Sequence, residues 1–297
     1  MSIAVADRRV WLRDGRTVMY RVYGDPDGRP VLALHGTPGS RSKFAMAHAR
    51  AHETGLRLVC IDRWGYGGSD RPSRPTLSGF AADMAALADA LRFDRFAVVG
   101  VSGGGPYAAA VAAELGARVT ALALVAPVGP IKGAGSERVR LSPFHILSFR
   151  VMPRVPGAIR LSFGVFRTML GMSSAGALRL AAARAGALDR QTVCAPAARD
   201  SLAECFRLGL AGGLAGPVID MRLFSAAWDV DPGAITAQAR LWLGSEDRNV
   251  PLLAARALAR AIPGCVMVPL PGHGHFWITQ HYGQVLAWLS EVTRRQH

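Results

Sequence analysis

Short apolar runs alternate with amphipathic segments along most of this chain, and that alternation constrains the fold more than any other feature. The runs at 31–34, 58–61, 96–99 and 119–125 are apolar and have the length of strands. Strands of this kind between amphipathic helices are typical of a parallel sheet that is covered on both faces. The sequence therefore predicts an α/β fold with a mostly parallel central sheet flanked by helices.

The alternation stops after Pro127 and resumes after Asp231. Residues 129–231 contain helical stretches separated by Gly and Pro but no convincing strand. Because neither flanking part holds a complete sheet, we predict a core formed by 1–128 and 232–297, interrupted by an inserted helical lid. Strands are predicted at 10–12, 17–22, 31–34, 58–61, 96–99, 119–125, 239–243 and 266–270, and core helices at 44–54, 76–91, 106–115, 252–261 and 276–290.

The chain is strongly basic, with a formal net charge of +14. From Ile131 to Val230, within the predicted lid, it has 13 Lys/Arg and 6 Asp/Glu, a net charge of +7. Such an excess attracts nucleic acids, anionic membranes or acidic substrates. The basic residues are nevertheless scattered, without a Lys/Arg block or an aromatic-interleaved basic stripe. We interpret the charge as an arginine-rich surface and expect no nucleic-acid partner.

The four cysteines, Cys60, Cys194, Cys205 and Cys265, form no C-x-x-C pair and have apolar neighbours. They predict small buried side chains in a reducing compartment rather than a disulfide framework or a metal site. No secretory signal is visible, and no stretch approaches the roughly 18 apolar residues of a membrane span. We expect a cytoplasmic protein without stable membrane insertion, and the sequence leaves its oligomeric state open.

A G-x-S-x-G pentapeptide, residues 100–104, stands at the end of an apolar strand and just before a helix. At such a sharp turn Ser102 exposes its hydroxyl at the carboxyl edge of the sheet, and the small neighbours Gly100 and Gly104 avoid collisions. The helix N-terminus and the amide of Gly103 point at charge that develops on a substrate. The arrangement predicts a nucleophilic serine.

Residues 103–108 also fit G-x-G-x-x-A, a dinucleotide-binding fingerprint. That fingerprint expects a carboxylate about 20 positions later, at the end of the next strand. The next strand instead ends in Leu-Val-Ala-Pro at 124–127, without an acidic residue. We therefore expect no nucleotide cofactor.

Two later strand ends supply the partners that a nucleophilic serine needs, a base and an orienting acid. One loop carries Glu246 and Asp247, and the loop after the last strand carries His273 and His275. In sheets with this serine turn, the chain order is serine, acid, histidine. Because parallel strands end at the same edge, the three loops are expected to meet. From the residues alone, either acid and either histidine fits.

These features resemble the α/β-hydrolases with a lid, a group that includes proline iminopeptidases, carboxylesterases, epoxide hydrolases and carbon–carbon bond hydrolases. The likeness covers nearly all of the chain outside 129–231. In that family the acid lies just ahead of a Val-Pro and the histidine closes a P-G-x-G-H motif, which implies Asp247 and His275. No third ligand accompanies His273 and His275, and no H-E-x-x-H occurs, so we expect neither a metal nor an organic cofactor.

The resemblance also assigns the turn that reads H-G-T-P-G after the first parallel strand. Thr37 is implied to supply the second oxyanion amide, beside that of Gly103, with Gly36 supporting the same turn. His35 is interpreted as a residue that orders the turn rather than as a proton carrier. The glycine-rich loop 62–69 resembles the family's loop that helps to shape the pocket.

The sequence therefore predicts a serine hydrolase that cleaves a small ester or related acyl substrate through an acyl-enzyme intermediate. Ser102 argues against dehalogenase and epoxide hydrolase chemistry, which use aspartate at this position in the family. A proline iminopeptidase-like aminopeptidase, with Glu204 as the carboxylate for a substrate amine, or a carbon–carbon bond hydrolase is the alternative. The peptidase is placed second because the lid is basic and the turn departs from the H-G-G-P-G of those enzymes. A non-catalytic small-molecule receptor on the same fold is the alternative from another class.

The predicted lid contains an apolar, glycine-rich stretch from Leu208 to Leu214. Such a stretch suits the lining of an acyl pocket, or a segment that flexes when substrate binds. Since apolar stripes mostly belong to cores, we favour a third interpretation, in which these residues pack the lid onto the core.

Overall fold

The computed structural model describes residues 5–133 and 139–295. Its strands are β1 (Arg8–Trp11), β2 (Thr17–Gly24), β3 (Arg29–Leu34), β4 (Leu56–Ile61), β5 (Phe96–Val101), β6 (Val119–Val125), β7 (Gln238–Gly244) and β8 (Val266–Leu270). They form one sheet in the order β1-β2-β4-β3-β5-β6-β7-β8. The β1–β2 and β2–β4 pairs are antiparallel and the other pairs are parallel, which confirms the predicted fold class.

The α-helices are α1 (His48–Glu53), α2 (Leu77–Ala90), α3 (Gly105–Leu115), α4 (Pro143–Ile146), α5 (Ala158–Met172), α6 (Ser174–Ala181), α7 (Ala187–Cys194), α8 (Pro196–Ala211), α9 (Ala215–Ser225), α10 (Leu252–Ala261) and α11 (Ile278–Arg294). Between β6 and β7 the described residues contain α4 to α9 and no strand. Among the described helices none alone is long and apolar enough to cross a membrane, although α8 and α9 together, bent by 95°, pass that test by length and composition.

The sheet separates two apolar layers, because successive side chains of a strand point to opposite faces. In β3, Leu32 and Leu34 belong to the cluster that includes α2, α3 and α10. Val31 and Ala33, on the other face, belong to the cluster with α1 and α11. Burial on both faces is the reason that the central strands read as continuous apolar runs.

The segment α4 to α9, which we call the helical insertion, has its own apolar cluster around Leu170 and Phe206. Its helices α8 and α9 also meet the loop after β4, backbone against backbone. The N–H of Gly67 donates to the carbonyl of Gly209 at 2.9 Å, and a Cβ on Gly209 would lie only 1.9 Å from the carbonyl oxygen of Gly39. The glycine-rich stretch of α8 therefore packs against the core at contact distance.

Two sequence predictions are corrected by the structure, beyond small shifts in the bounds of other elements. In the segment 40–47 the N–H groups of Lys43, Ala45 and Ala47 each bond the third preceding carbonyl, so α1 begins at His48 and not at Phe44. Cys194, the last residue of α7, is exposed rather than buried, because it lies at a helix end that faces solvent, and Cys265 is half-buried. All four cysteines are free thiols.

Replacing Gly209 by Ala is expected to destabilise the fold, because the new Cβ would collide with the backbone of Gly39. We expect the free energy of unfolding to fall by about 1–3 kcal/mol in urea denaturation followed by circular dichroism. Gly171→Ala is the matched control, since a Cβ at that position of α5 has nothing within 4 Å. The control should leave stability unchanged or raise it by up to about 1 kcal/mol. Equal effects of the two substitutions would contradict the close contact.

Candidate active site

Ser102 lies at the sharp turn between β5 and α3. Its φ of +55° is in the left-handed region, which costs a non-glycine residue about 1–3 kcal/mol and is found mainly at functional sites. Its carbonyl accepts a hydrogen bond from the amide of Val128 at 3.0 Å, which ties the turn to the segment after β6. The residue is only 9% exposed. The structure thus holds a strained, shielded serine at the carboxyl edge of the sheet.

The glycines around Ser102 are required by close approach of neighbouring segments. A Cβ on Gly100 would lie 2.6 Å from the Cβ of Ala108 in α3, and one on Gly36 would lie 3.1 Å from the Cβ of the serine. At Gly104 an added Cβ would lie 2.5 Å from the carbonyl oxygen at the end of β3. Larger side chains at these positions would push the serine turn out of place.

His275 and Asp247 form a shielded pair in the loops after β8 and β7. His275 Nδ1 lies 2.8 Å from Asp247 Oδ2, while Oδ1 accepts from the amides of Asn249 and Val250 at 2.8 and 3.1 Å. Because a carboxylate only accepts, Nδ1 carries the proton and the neutral ring leaves Nε2 as a base. Burial lowers the pKa of His275, but the Asp247 carboxylate outweighs burial and the pKa is raised above its ordinary 6.5.

The other acid and the other histidine of these loops lie apart from this pair. Glu246 is exposed, and its carboxylate is 3.7 Å from Arg248. The ring of His273 faces His281, with 5.5 Å between ring centroids. Within the described residues, no group of three or more His, Cys, Asp or Glu is arranged to hold a metal ion.

Ser102 is not joined to this pair by a hydrogen bond. Its Oγ has no hydrogen-bond partner within residues 5–133 and 139–295. Catalytic hydrogen bonds in unliganded enzymes are often long and tighten only when a substrate is bound. Ser102, Asp247 and His275 therefore all follow strands that end at one edge of the sheet. Of the three, only Asp247 and His275 are joined by a hydrogen bond.

The turn after β3 packs directly against the serine turn. A Cβ on Gly103 would lie 2.1 Å from Thr37 Oγ1, so the two residues are in contact. The backbone N–H of Thr37 donates to no described residue. These are the two residues that the sequence resemblance implied as oxyanion donors.

His35 is buried behind this turn. Its Nε2 accepts from the amide of Arg63 at 3.1 Å, so Nδ1 carries the proton and donates to the carbonyl of Gly36 at 2.7 Å. Burial, helped by the Arg63 charge, holds the pKa of His35 well below its ordinary value. A neutral ring with both nitrogens engaged orders the turn and carries no proton in a reaction.

A buried ion pair that the sequence did not reveal lies behind Thr37. Arg63 and Asp220 are inaccessible to solvent, and the guanidinium donates to both carboxylate oxygens at 2.5 and 2.8 Å. Asp220 also accepts from Thr37 Oγ1 at 2.5 Å, Tyr66 at 2.7 Å and Tyr107 at 2.6 Å. Burial lowers the pKa of Arg63, but Asp220 more than compensates and raises it, so the arginine stays charged.

The pair links the helical insertion to the turn after β3. Asp220 is in α9, whereas Arg63 follows β4 and donates to the carbonyls of His35 and Gly36 at 3.0 and 3.1 Å. A signal was present in the sequence, since Asp220 is a lone acid between Ile219 and Met221. An acid inside an apolar run is mostly buried with a partner.

Asp189 of α7 is a second carboxylate of the insertion, and it contacts the loop after β8 that carries His275. Its two oxygens accept the backbone amides of His275 at 2.6 Å and Phe276 at 3.0 Å. Phe276 in turn packs into the insertion's own apolar cluster. Burial raises the pKa of Asp189, and its charge adds to the rise in the pKa of His275. Sequence reasoning missed this residue, which falls in no motif.

A sequence model of the alpha/beta hydrolase family matches residues 31–288. The match covers most of the 297 residues, so the chain belongs to the alpha/beta hydrolase family. The fold and the strained serine turn described above agree with this membership.

Curated relatives match shorter stretches. A non-heme chloroperoxidase of Streptomyces lividans is 37% identical over 120 residues, 40% of this chain and 44% of the relative. A proline iminopeptidase of Heyndrickxia coagulans is 33% identical over 99 residues, 32% and 34% of the two chains. The chain thus spans less than half the length of these curated relatives.

Solved structures align over nearly the whole chain. An alpha/beta hydrolase fold protein from Nakamurella multipartita has a TM-score of 0.72 and 26% identity, covering 98% of this chain and 100% of that one. An esterase from Exiguobacterium antarcticum has a TM-score of 0.67 and 19% identity, covering 96% and 98%. The second likeness shows the shared fold alone.

Asp220→Ala is expected to destabilise the protein by about 3–5 kcal/mol, because it leaves the guanidinium of Arg63 buried and unpaired. Asp200→Ala is the control, since Asp200 forms an exposed pair with Arg199 and should cost less than about 1 kcal/mol. Thermal and urea unfolding measure both changes. Similar small losses for the two variants would show that the buried pair does not hold the insertion on the core.

Proposed function

We propose that this protein is a serine hydrolase that cleaves a small ester or related acyl substrate through an acyl-enzyme intermediate. Ser102 Oγ attacks the acyl carbon while His275 Nε2 takes its proton, and the amides of Thr37 and Gly103 stabilise the oxyanion. Asp247 holds the ring in place and stabilises its positive charge. The imidazolium then protonates the leaving alcohol, and a water that the same ring activates releases the acid.

The observation that carries the proposal is the 2.8 Å hydrogen bond between His275 Nδ1 and Asp247 Oδ2. It fixes the tautomer whose Nε2 can accept a proton, at the sheet edge where Ser102 also lies. A serine hydroxyl is a weak nucleophile without such a base. The proposed role of Ser102 requires a rotation of the serine or the imidazole to close the remaining bond.

The surroundings favour an acyl ester over a peptide with a free amine. Glu204, the candidate for binding a substrate amine, is exposed and lies 3.3 Å from Arg21. The buried carboxylates of the insertion, Asp189 and Asp220, are occupied by core donors. A segment with a net charge of +7 also repels an ammonium group.

We propose that residues 129–231 act as a lid that limits the substrate. Phe224 of α9 supports this role, because a Cβ on Gly103 would lie 3.1 Å from Phe224 Cζ. The ring therefore stands beside the proposed oxyanion amide, where it restricts the volume left for an acyl group. The proposal includes a cytoplasmic location, which agrees with free thiols, and a small-molecule substrate without a cofactor.

A fluorophosphonate probe should label Ser102, and Ser102→Ala should lose labelling and turnover while keeping the fold. Ser73→Ala is the matched control, because Ser73 is exposed and its hydroxyl bonds to no described residue. Its labelling and turnover should equal those of the wild type. Hydrolysis retained by Ser102→Ala would refute the nucleophile, and a folded wild-type protein that neither labels nor turns over would favour a receptor.

A screen of p-nitrophenyl esters of graded chain length beside aminoacyl-nitroanilides tests the bond that is cleaved. We expect the esters to be hydrolysed faster, because the insertion offers no free buried carboxylate for an amine among the described residues. A higher kcat/KM for the aminoacyl-nitroanilides than for the esters would show that the protein is an aminopeptidase and not an esterase.

The pH profile of kcat/KM should fall on the acid side through a pKa above the ordinary 6.5 of histidine, because His275 must be neutral to act as a base. In Asp247→Asn the burial remains and the carboxylate is lost, so this pKa should move down. The rate should fall on the order of 10⁴-fold, the loss typical of the same change in a triad. Asp200→Asn, an exposed control, should leave both the pKa of the acid limb and the rate unchanged. If the acid limb of Asp247→Asn keeps the wild-type pKa, the proposed effect of the Asp247 carboxylate on His275 is contradicted.

A further inference from the structure

Helix α5 carries apolar side chains on two opposite faces, and only one face is needed for folding. Ile159 and Leu170 face inward and are buried in the apolar clusters. Leu161, Val165 and Met172 are 71%, 52% and 83% exposed. At 100° per residue these three positions fall within roughly 40° of the helix circumference. We call them the outer stripe, and nothing in the described chain covers it.

The outer stripe belongs to a larger apolar surface of the insertion. Of the fifteen large hydrophobic side chains that are exposed in the described residues, ten lie between Phe144 and Leu188. Scattered exposed apolar side chains are normal, whereas their concentration on one segment marks an interaction surface. Folding of the insertion therefore does not explain this composition.

The same segment is basic. Residues 139–188 contain seven arginines and no lysine, aspartate or glutamate. Arg160 and Arg167 of α5 lie on one side of the helix, roughly 100° or more around from the outer stripe, and form no ion pair within the described chain. A helix with an exposed apolar stripe and unpaired arginines on its polar side has the composition of helices that lie in a membrane interface.

Basic side chains of the insertion also line two cavities near the start of α5. A cavity of about 200 Å³ is lined by Arg154, Arg160 and Arg222, without a carboxylate. A second cavity, of about 270 Å³, shares Arg154 and is also lined by Lys132 and Arg150. Both cavities suit a phosphate group, since only cationic and neutral groups line them.

We propose that the outer face of the insertion docks on a membrane surface that contains anionic phospholipid. The outer stripe would lie at the boundary between the lipid headgroups and the acyl chains. The arginines that line the cavities would bind lipid phosphate groups. A second copy of this chain fits less well, because a two-fold contact would set the acid-free basic surface against itself. Nucleic acid would match the charge but leave the outer stripe in water.

The docking is peripheral and leaves the core undisturbed. Helices α8 and α9 are held on the core by the backbone contact of Gly209 and by Asp220, as described above. The exposed apolar residues of the insertion lie between Phe144 and Leu188, in the segment from α4 to α7, and α9 contributes only Arg222 to the basic groups proposed to bind phosphate. Membrane contact therefore involves a surface that is already formed and does not require the hydrolase activity.

Cosedimentation of the full chain with vesicles tests the proposal. We expect binding to vesicles of phosphatidylcholine and phosphatidylglycerol, weakening as salt is added, and little binding to phosphatidylcholine alone. Leu161→Ser combined with Met172→Ser should weaken binding on the order of tenfold. Arg160→Gln and Arg222→Gln should each weaken it about fivefold.

Trp11→Ser combined with Val266→Ser is the matched control, because it removes two exposed apolar side chains outside the insertion. This control and Ser102→Ala should bind like the wild type, which separates docking from catalysis. The proposal is overturned if the protein does not sediment with anionic vesicles, or if the Leu161/Met172 variant binds as well as the wild type. A dimer in analytical ultracentrifugation that the same variant abolishes would also overturn it, since a second copy would then cover the outer stripe.

Discussion

Arg63 carries its charge at a point that no solvent reaches, and it can do so only because Asp220 lies against it. The two residues come from different layers of the molecule, one from the loop after β4 and the other from the helical insertion. Of their partners, Thr37 is in the turn after β3 and Tyr107 is in α3, whereas Tyr66 belongs to the same loop as Arg63. One buried pair therefore joins the turn after β3, the glycine-rich loop and the insertion.

The insertion is part of the architecture of the candidate site and more than a cover over it. Asp220 bonds to the turn that holds Thr37, and Asp189 bonds to the backbone amide of His275. Each carboxylate is buried, so the loss of its hydrogen bonds would leave an unsatisfied charge. The helices of the insertion consequently help to hold two loops of the candidate site in place.

The two parts of the insertion differ in chemistry. Helices α8 and α9 meet the core through glycine backbone and buried charge, which leaves little freedom for rearrangement. Helices α4 to α7 present arginines and exposed apolar side chains to the outside. Family membership establishes the shared fold, whereas function is decided by the sites built on a fold.

Local sequence determined much of this protein. Apolar strands, glycine turns and helix caps act over a few residues, so the α/β class, the limits of β6, α10 and β8 and the cap of α2 by Thr76 could be predicted. The strained position of Ser102 was also readable, because its glycine neighbours are adjacent in the chain. Where a prediction concerned solvent contact, as for Cys194, local sequence failed because exposure depends on the whole packed molecule.

Tertiary structure decided the pairings. Glu246 and Asp247 are adjacent in sequence, and only the fold places one carboxylate on His275 and leaves the other in solvent. Arg63 and Asp220 are 157 residues apart. The apolar run around Asp220 indicates a buried acid, but nothing local identifies Arg63 as its partner. Such contacts arise when the sheet and the insertion come together, because a buried charge must find its counterpart in whatever segment the topology brings beside it.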